Sequence, residues 1–217
     1  MSWHQLVSKV CLALALGGCA RGQGPAVDPP PNPANADARH RERARARLRA
    51  VIRDQSFLEH LPESVRATTI SEPFAGRMVL LYMVDDQGAA RGAQAADLAE
   101  AGVSREALRA VVEWNLAQAL RVPVSCSNHL VSEPAHREYY ESSRLLLNEQ
   151  WANLAQAGTI VVAVPSNDTL FVACNPTPEI LQKLAVVVQN TYPRATGPVS
   201  PALLTWSKDG WRELPAP

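Results

Sequence analysis

Thr159-Ile160-Val161-Val162-Ala163-Val164, then Pro165-Ser166-Asn167-Asp168, then Thr169-Leu170-Phe171-Val172-Ala173 is one stretch in which two β-rich runs flank a cluster of turn formers. β-Branched and aromatic side chains fit a pleated surface, and Pro, Ser, Asn and Asp each favour chain reversal for their own reason. The stretch predicts an antiparallel hairpin that sits centrally in a sheet. A second hairpin is expected near the C-terminus, where Leu203–Trp206 and Trp211–Leu214 flank Ser207-Lys208-Asp209-Gly210, with Asp-Gly at the turn.

Working outward, Met78–Val84 is an unbroken apolar run ending at Asp85-Asp86-Gln87-Gly88, a buried strand and a turn. Ser104-Arg105-Glu106 offers a cap and an early acid for a helix running to about Leu120, with Leu108, Val111, Val112 and Ala119 on one side and Leu116 and Leu120 close by. A helix over 148–157 would turn Trp151 and Leu154 inward. Over Thr177–Thr191, Ile180, Leu181, Leu184, Val187 and Val188 make an apolar face, capped by Thr177 or Asn175. Val122–Cys126 is a candidate strand, and Tyr139–Leu147 reads either as a strand or as a helix start. The expected class is α+β, a mostly antiparallel sheet with packed helices. At 217 residues, 47% of them hydrophobic, the chain suffices for one core, which is placed in a single domain over 54–217.

The first 53 residues have a different composition. Met1–Lys9 is polar and basic, Val10–Leu16 is apolar, and Leu16-Gly17-Gly18-Cys19 resembles a bacterial lipobox. The apolar run is shorter than the roughly 20 residues that cross a bilayer, so 1–18 reads as a lipoprotein signal peptide. The resemblance implies diacylglyceryl (palmitate-type) lipidation of Cys19 and cleavage before it. Ala20, where retention would call for Asp, implies the outer membrane facing the periplasm in a two-membrane host. Residues 19–38 contain Pro25, Pro29, Pro30, Pro31 and Pro33 and are expected to be a disordered tether. Over 39–53, seven arginines (39, 41, 43, 45, 47, 49 and 53) face Glu42 alone, and this segment is expected to be an Arg-rich helical neck that is either attracted to anionic lipid or simply solvated. From Asp54 onward, 12 basic residues face 18 acidic ones. The zero net charge argues against a general nucleic-acid partner.

From Val51-Ile52-Arg53-Asp54-Gln55-Ser56-Phe57-Leu58-Glu59-His60-Leu61 the chain resembles a bacterial domain-of-unknown-function family that includes Bacillus YtpQ. Further matches lie in Gly76–Val84, in 95–108, in Tyr140-Glu141-Ser142-Ser143 with Leu145-Leu146-Leu147 and Trp151, and in Val162-Ala163-Val164-Pro165. The resemblance implies a fold pattern and carries no catalytic residue. The export signal ahead of it departs from the family.

No Gly-x-Ser-x-Gly, His-Glu-x-x-His, phosphate-cradling glycine loop or Cys-x-x-Cys occurs in the sequence. Cys126, His129 and His136, with Cys174 or Glu138 as a fourth ligand, have the right chemistry for zinc but a spacing that fits no standard site, and no metal or cofactor is assigned. Export favours a disulfide between Cys126 and Cys174; the alternative is two buried free thiols. Asp85-Asp86, and Glu138 with Glu141, are paired carboxylates for acid–base work or calcium, or else a polar turn and a solvated face. Ser166, Asn167 and Asp168 are explained by turn chemistry. Trp206 and Trp211 either present an aromatic surface for a glycan or peptide or pack on the sheet.

Two readings of different class follow, so the sequence leaves enzymatic activity undecided. One is a membrane-anchored envelope lipoprotein that acts as a non-enzymatic binding module for a protein or envelope component. The other is a hydrolase or metal-dependent enzyme of the envelope using Cys126, His129, His136 and Glu138. An immunity-type lipoprotein is a third, weaker idea.

Overall fold

The computed structural model describes residues 33–86, 89–120, 124, 131–132 and 141–215. Its elements in chain order are α1 (Pro33–Ala46), β1 (Leu48–Asp54), α2 (Ser56–Glu59), α3 (Glu63–Thr68), β2 (Ser71–Pro73), β3 (Met78–Asp86), β4 (Ala89–Gly92), α4 (Ala95–Ala101), α5 (Leu108–Ala119), β5 (Val131–Ser132), α6 (Asn148–Ala155), β6 (Ile160–Ser166), β7 (Thr169–Cys174), α7 (Pro178–Thr191), β8 (Leu203–Ser207) and β9 (Gly210–Glu213). A 3-10 turn over Glu141–Leu146 precedes α6, and a second over Tyr192–Arg194 follows α7. The class is α+β, as expected, but the strands form two antiparallel sheets instead of one.

In the first sheet β3 is central. Strand β1 pairs along one side of it, and β2 and β4 share the other. Both faces of this sheet are covered, which accounts for the unbroken apolar run of β3. Leu80, Tyr82 and Val84 enter the main core, whereas Val79 and Leu81 join Val51 beneath Leu58 and Met83. Asp85 and Asp86 belong to β3, opposite Ala90 and Ala89, so the strand runs two residues past its expected end.

The second sheet has the order β5-β7-β6-β8-β9. The hairpin of β6 and β7 is central as expected, and every residue of β6 is buried. Ile160, Val162 and Val164 face the main core, while Val161 and Ala163 face Leu184 and Val188 of α7. The pairing register shifts between Ala163 and Ser166, where Pro165 has no N–H to give the ladder. Thr177 caps α7 by accepting a hydrogen bond from Ile180 N (3.4 Å). Asn175 instead takes the left-handed conformation (φ 48°) and accepts from Thr159 N (2.9 Å), closing the open end of the hairpin.

The expected neck is corrected. Only residues up to Ala46 are helical, and 48–54 form β1, whose Leu48, Ala50 and Ile52 are buried in the core. Apolar residues at alternate positions among the arginines are a strand pattern, and tertiary pairing with β3 overrides the helical propensity of the neighbours. The helix also begins earlier than expected, taking in the last residues assigned to the tether. It docks on α4: Arg45 donates from Nε to Ala101 O (2.7 Å) and from Nη2 to Gly102 O (2.9 Å), placing a cation at the carbonyl end of that helix. Arg47 pairs with Glu100 (2.9 Å).

Among the described residues, no strand meets the outer edge of β1. Its outward carbonyls are taken by side chains instead: Leu48 O accepts from Asn115 Nδ2 (2.9 Å), Ala50 O from Ser143 Oγ (2.7 Å) and Ile52 O from Ser142 Oγ (3.4 Å). The two serines lie in the first 3-10 turn, which is buried throughout and carries an ion pair between Glu141 and Arg144 (2.6 Å), both almost fully enclosed. Glu141 is thus a buried charge paired with Arg144, which corrects the solvated-face reading; Glu138 lies outside the described residues.

Removing one partner of such a pair leaves an uncompensated buried charge. Arg144→Met should lower unfolding free energy by about 3–5 kcal/mol. Glu141→Gln combined with Arg144→Met should lose less than the sum of the two single changes. Urea denaturation of the three variants checks both statements; additive losses would mean that the pair is not coupled.

Candidate functional site

An open cleft of about 390 Å³ lies where the β8–β9 hairpin, α5, the start of α6 and the loop after β2 come together. Its lining is aromatic (Phe74, Trp206 and Trp211) and polar or charged (Arg109, Asn148, Lys208 and Asp209), with Gly210 at the turn. Trp206 and Trp211 are direct cross-strand partners on β8 and β9, with ring centroids 5.1 Å apart and planes at 72°. Trp211 also meets Trp151 edge to face at 4.9 Å. The indole N–H groups of Trp151 and Trp211 donate to successive carbonyls of the 3-10 turn, Arg144 O (2.7 Å) and Leu145 O (2.9 Å). Trp211 of the cleft is therefore fixed by the same buried segment that closes the β1 edge.

The tight turn Ser207–Gly210 projects Lys208 and Asp209 outward; Gly210 sits at φ 104°, where a side chain would be strained. The hairpin is braced against the first sheet through Glu213, which accepts from Arg77 N (3.4 Å) and lies so close to Gly76 that a Cβ there would overlap its carboxylate. Arg109 donates to Glu113 (2.9 Å) and Glu72 (3.0 Å). Burial works against its charge, but these two carboxylates outweigh it and hold the guanidinium pKa above its ordinary value. Lys208 is exposed and enters none of the ion pairs among the described residues.

The residues singled out from sequence are thus dispersed. Trp206 and Trp211 come together, packed on the sheet and also lining the cleft. Ser166 donates to Asp168 across the β6–β7 turn, and Asn167 is buried, its backbone N–H bonded to Gly197 O (2.8 Å), so turn chemistry accounts for all three. Asp86 lies 3.4 Å from Arg47. Cys174 ends β7, half-buried and disulfide-bonded, with its partner outside the described residues. Cys19, Cys126, His129, His136 and Glu138, and all but one residue of the candidate strand 122–126, lie outside the described residues. Among those described, no group of three His, Cys, Asp or Glu side chains is placed to hold a metal ion, and no helix is long and apolar enough to cross a membrane.

Sequence reasoning missed Asp54, which is fully buried at the end of β1. It accepts from Ser56 N (2.8 Å) and Tyr192 Oη (3.2 Å) and lies 3.5 Å from Arg77. The Asp-Gln-Ser spacing was the available signal, since an Asp two residues before a helix start caps it. Burial pushes the Asp54 pKa up, but the hydrogen bonds and Arg77 prevail and hold it below the ordinary 3.8; burial and the nearby carboxylate push Tyr192 up.

No family model matches the chain, and neither a curated protein nor a solved structure does. The resemblance to the family that includes YtpQ gains nothing from these comparisons.

A carboxylate whose pKa is lowered in the folded state contributes stability that is complete above its unfolded pKa and lost as pH falls through its folded one. Asp54→Asn should therefore cost about 1–3 kcal/mol at neutral pH. The gap from wild type should hold above the ordinary 3.8 and narrow only below it. Thermal unfolding from pH 7 to pH 2.5 measures this; a gap constant across the range would remove Asp54 from the acid response.

Proposed function

We propose that this chain is a lipid-anchored envelope protein, fixed at the outer membrane through Cys19, whose folded body acts as a binding module facing the periplasm. The observation that carries the reading is the order of parts: Leu16-Gly17-Gly18-Cys19, then a short proline-rich stretch, then a folded body with a lined cleft. The 13 residues from Ala20 to Asn32 span at most about 45 Å when extended. An anchored body with that reach samples only the zone next to the membrane, so position does much of the work of selecting a partner. An aromatic lining with a few polar groups is the ordinary composition of a small-ligand site. In an exported chain, Cys126 is the expected disulfide partner of Cys174, since the mature protein lacks Cys11 and carries lipid on Cys19.

Two or three acyl chains, at about 0.8 kcal/mol per buried CH₂, anchor a protein durably. Wild type expressed in a two-membrane host should fractionate with the outer membrane, and intact mass should show cleavage before Cys19 and a diacylglyceryl adduct. Cys19→Ser should be released in soluble form. Wild type without the adduct, or a Cys19→Ser protein still bound to membrane, would sink the reading. Non-reducing peptide mapping should recover Cys126 linked to Cys174.

A further inference from the structure

The cleft is lined by two tryptophans together with charged groups of both signs, Arg109 and Lys208 with Asp209, a combination that suits neither a lipid tail nor a bare anion. A lipid tail needs an apolar enclosure, and the two carboxylates beside Arg109 already balance its charge. A pyranose ring fits both features: its C–H face lies against indole, and its hydroxyls exchange hydrogen bonds with side-chain amides and charged groups around the edge. A volume of about 390 Å³ is at the small end of ligand clefts, room for about two sugar rings. Asn148 offers an amide, which pairs with an acetamido group as donor and acceptor at once. Lys208 adds a lining cation outside the ion pairs of the described residues, with the exposed Asp209 beside it, and its ammonium is the group that would meet a carboxylate on the ring.

We infer that the cleft binds an acidic amino-sugar glycan, with sugar rings on Trp206 and Trp211, an acetamido group at Asn148 and a carboxylate at Lys208. The inference rests on the envelope reading above, which puts the cleft among wall glycans, and it names the ligand of that same site. The fold has prepared the site in advance. Trp211 is held by Leu145 O and by two neighbouring indoles, so its ring loses little freedom when a sugar arrives.

Calorimetry with the full chain in detergent tests this, using three probes: the peptide-free disaccharide of N-acetylglucosamine and N-acetylmuramic acid, neutral chitobiose, and the free wall stem peptide. The acidic disaccharide should bind about tenfold more tightly than chitobiose, and the stem peptide should not bind. Lys208→Ala should bring the acidic disaccharide down to chitobiose affinity, abolishing the preference between the two sugars. Asn148→Ala should weaken both sugars. Both positions are exposed, so neither variant threatens the fold. Binding of neither sugar, preference for the stem peptide, or a Lys208→Ala protein that still prefers the acidic sugar would each overturn the inference. A chain that binds the sugar but carries no lipid would defeat the anchoring reading alone, and a lipidated chain that binds neither sugar would defeat the glycan site alone.

Discussion

The constraint on which this structure depends is the outer edge of β1. A strand whose backbone groups are left unpaired is both costly when buried and prone to add a stray strand. Among the described residues no strand continues the ladder past β1, and β2 and β4 pair with the other side of β3. The solution is a row of side-chain donors at the β-sheet spacing: Asn115 from α5, then Ser143 and Ser142 from the 3-10 turn, meet the carbonyls of Leu48, Ala50 and Ile52. Continuing the same edge, Asp54 N donates to Pro198 O (3.3 Å), in the segment that leads to β8. The first sheet is thereby closed against the second without merging into it.

That closure forces the 3-10 turn into the interior, and the rest of its chemistry follows. A buried turn needs partners for its own carbonyls, and two of them are the indoles of Trp151 and Trp211. The Arg144 and Glu141 charges are enclosed with it and neutralise each other at 2.6 Å. Once Trp211 is bound to Leu145, β9 cannot slide, because a one-residue shift would reverse which side chains face inward. The position of the cleft is thus a consequence of sealing β1. Its tryptophans are where they are because the 3-10 turn required donors, and Trp206 follows as the cross-strand neighbour of Trp211.

This division explains what could be read from sequence. Local rules served where an element is decided by its own residues: the β6–β7 hairpin by its turn cluster, α7 by its apolar face and Thr177, β8–β9 by Asp209-Gly210. They failed where the deciding partner is remote. Leu48-Arg49-Ala50 sits in a helix-favouring context, and only pairing with 82–84 of β3 makes it a strand. Glu141-Ser142-Ser143-Arg144 is polar enough to read as surface, and only the unfilled edge of β1, about 90 residues earlier, draws it inside. The cleft was legible in part: Trp206 and Trp211 mark their hairpin, but Phe74, Arg109 and Asn148 reach it through tertiary packing that no spacing in the sequence records.

The arginine-rich beginning of the body changes meaning in the same way. As a run, 39–53 suggests about six uncompensated positive charges. In the fold, Arg45 serves the carbonyl end of α4, Arg47 meets Glu100, and Arg49 donates to the carbonyls of Ala46 and Leu48. That leaves Arg39, Arg41 and Arg43 as the exposed cations of α1, with Glu42 among them. At about 1 kcal/mol per charge near an anionic surface, they supply a few kcal/mol at most, far less than acyl chains at Cys19 would. The arginines are better understood as the means by which the N-terminal part of the described chain is held to α4, Arg45 at its carbonyl end and Arg47 at Glu100.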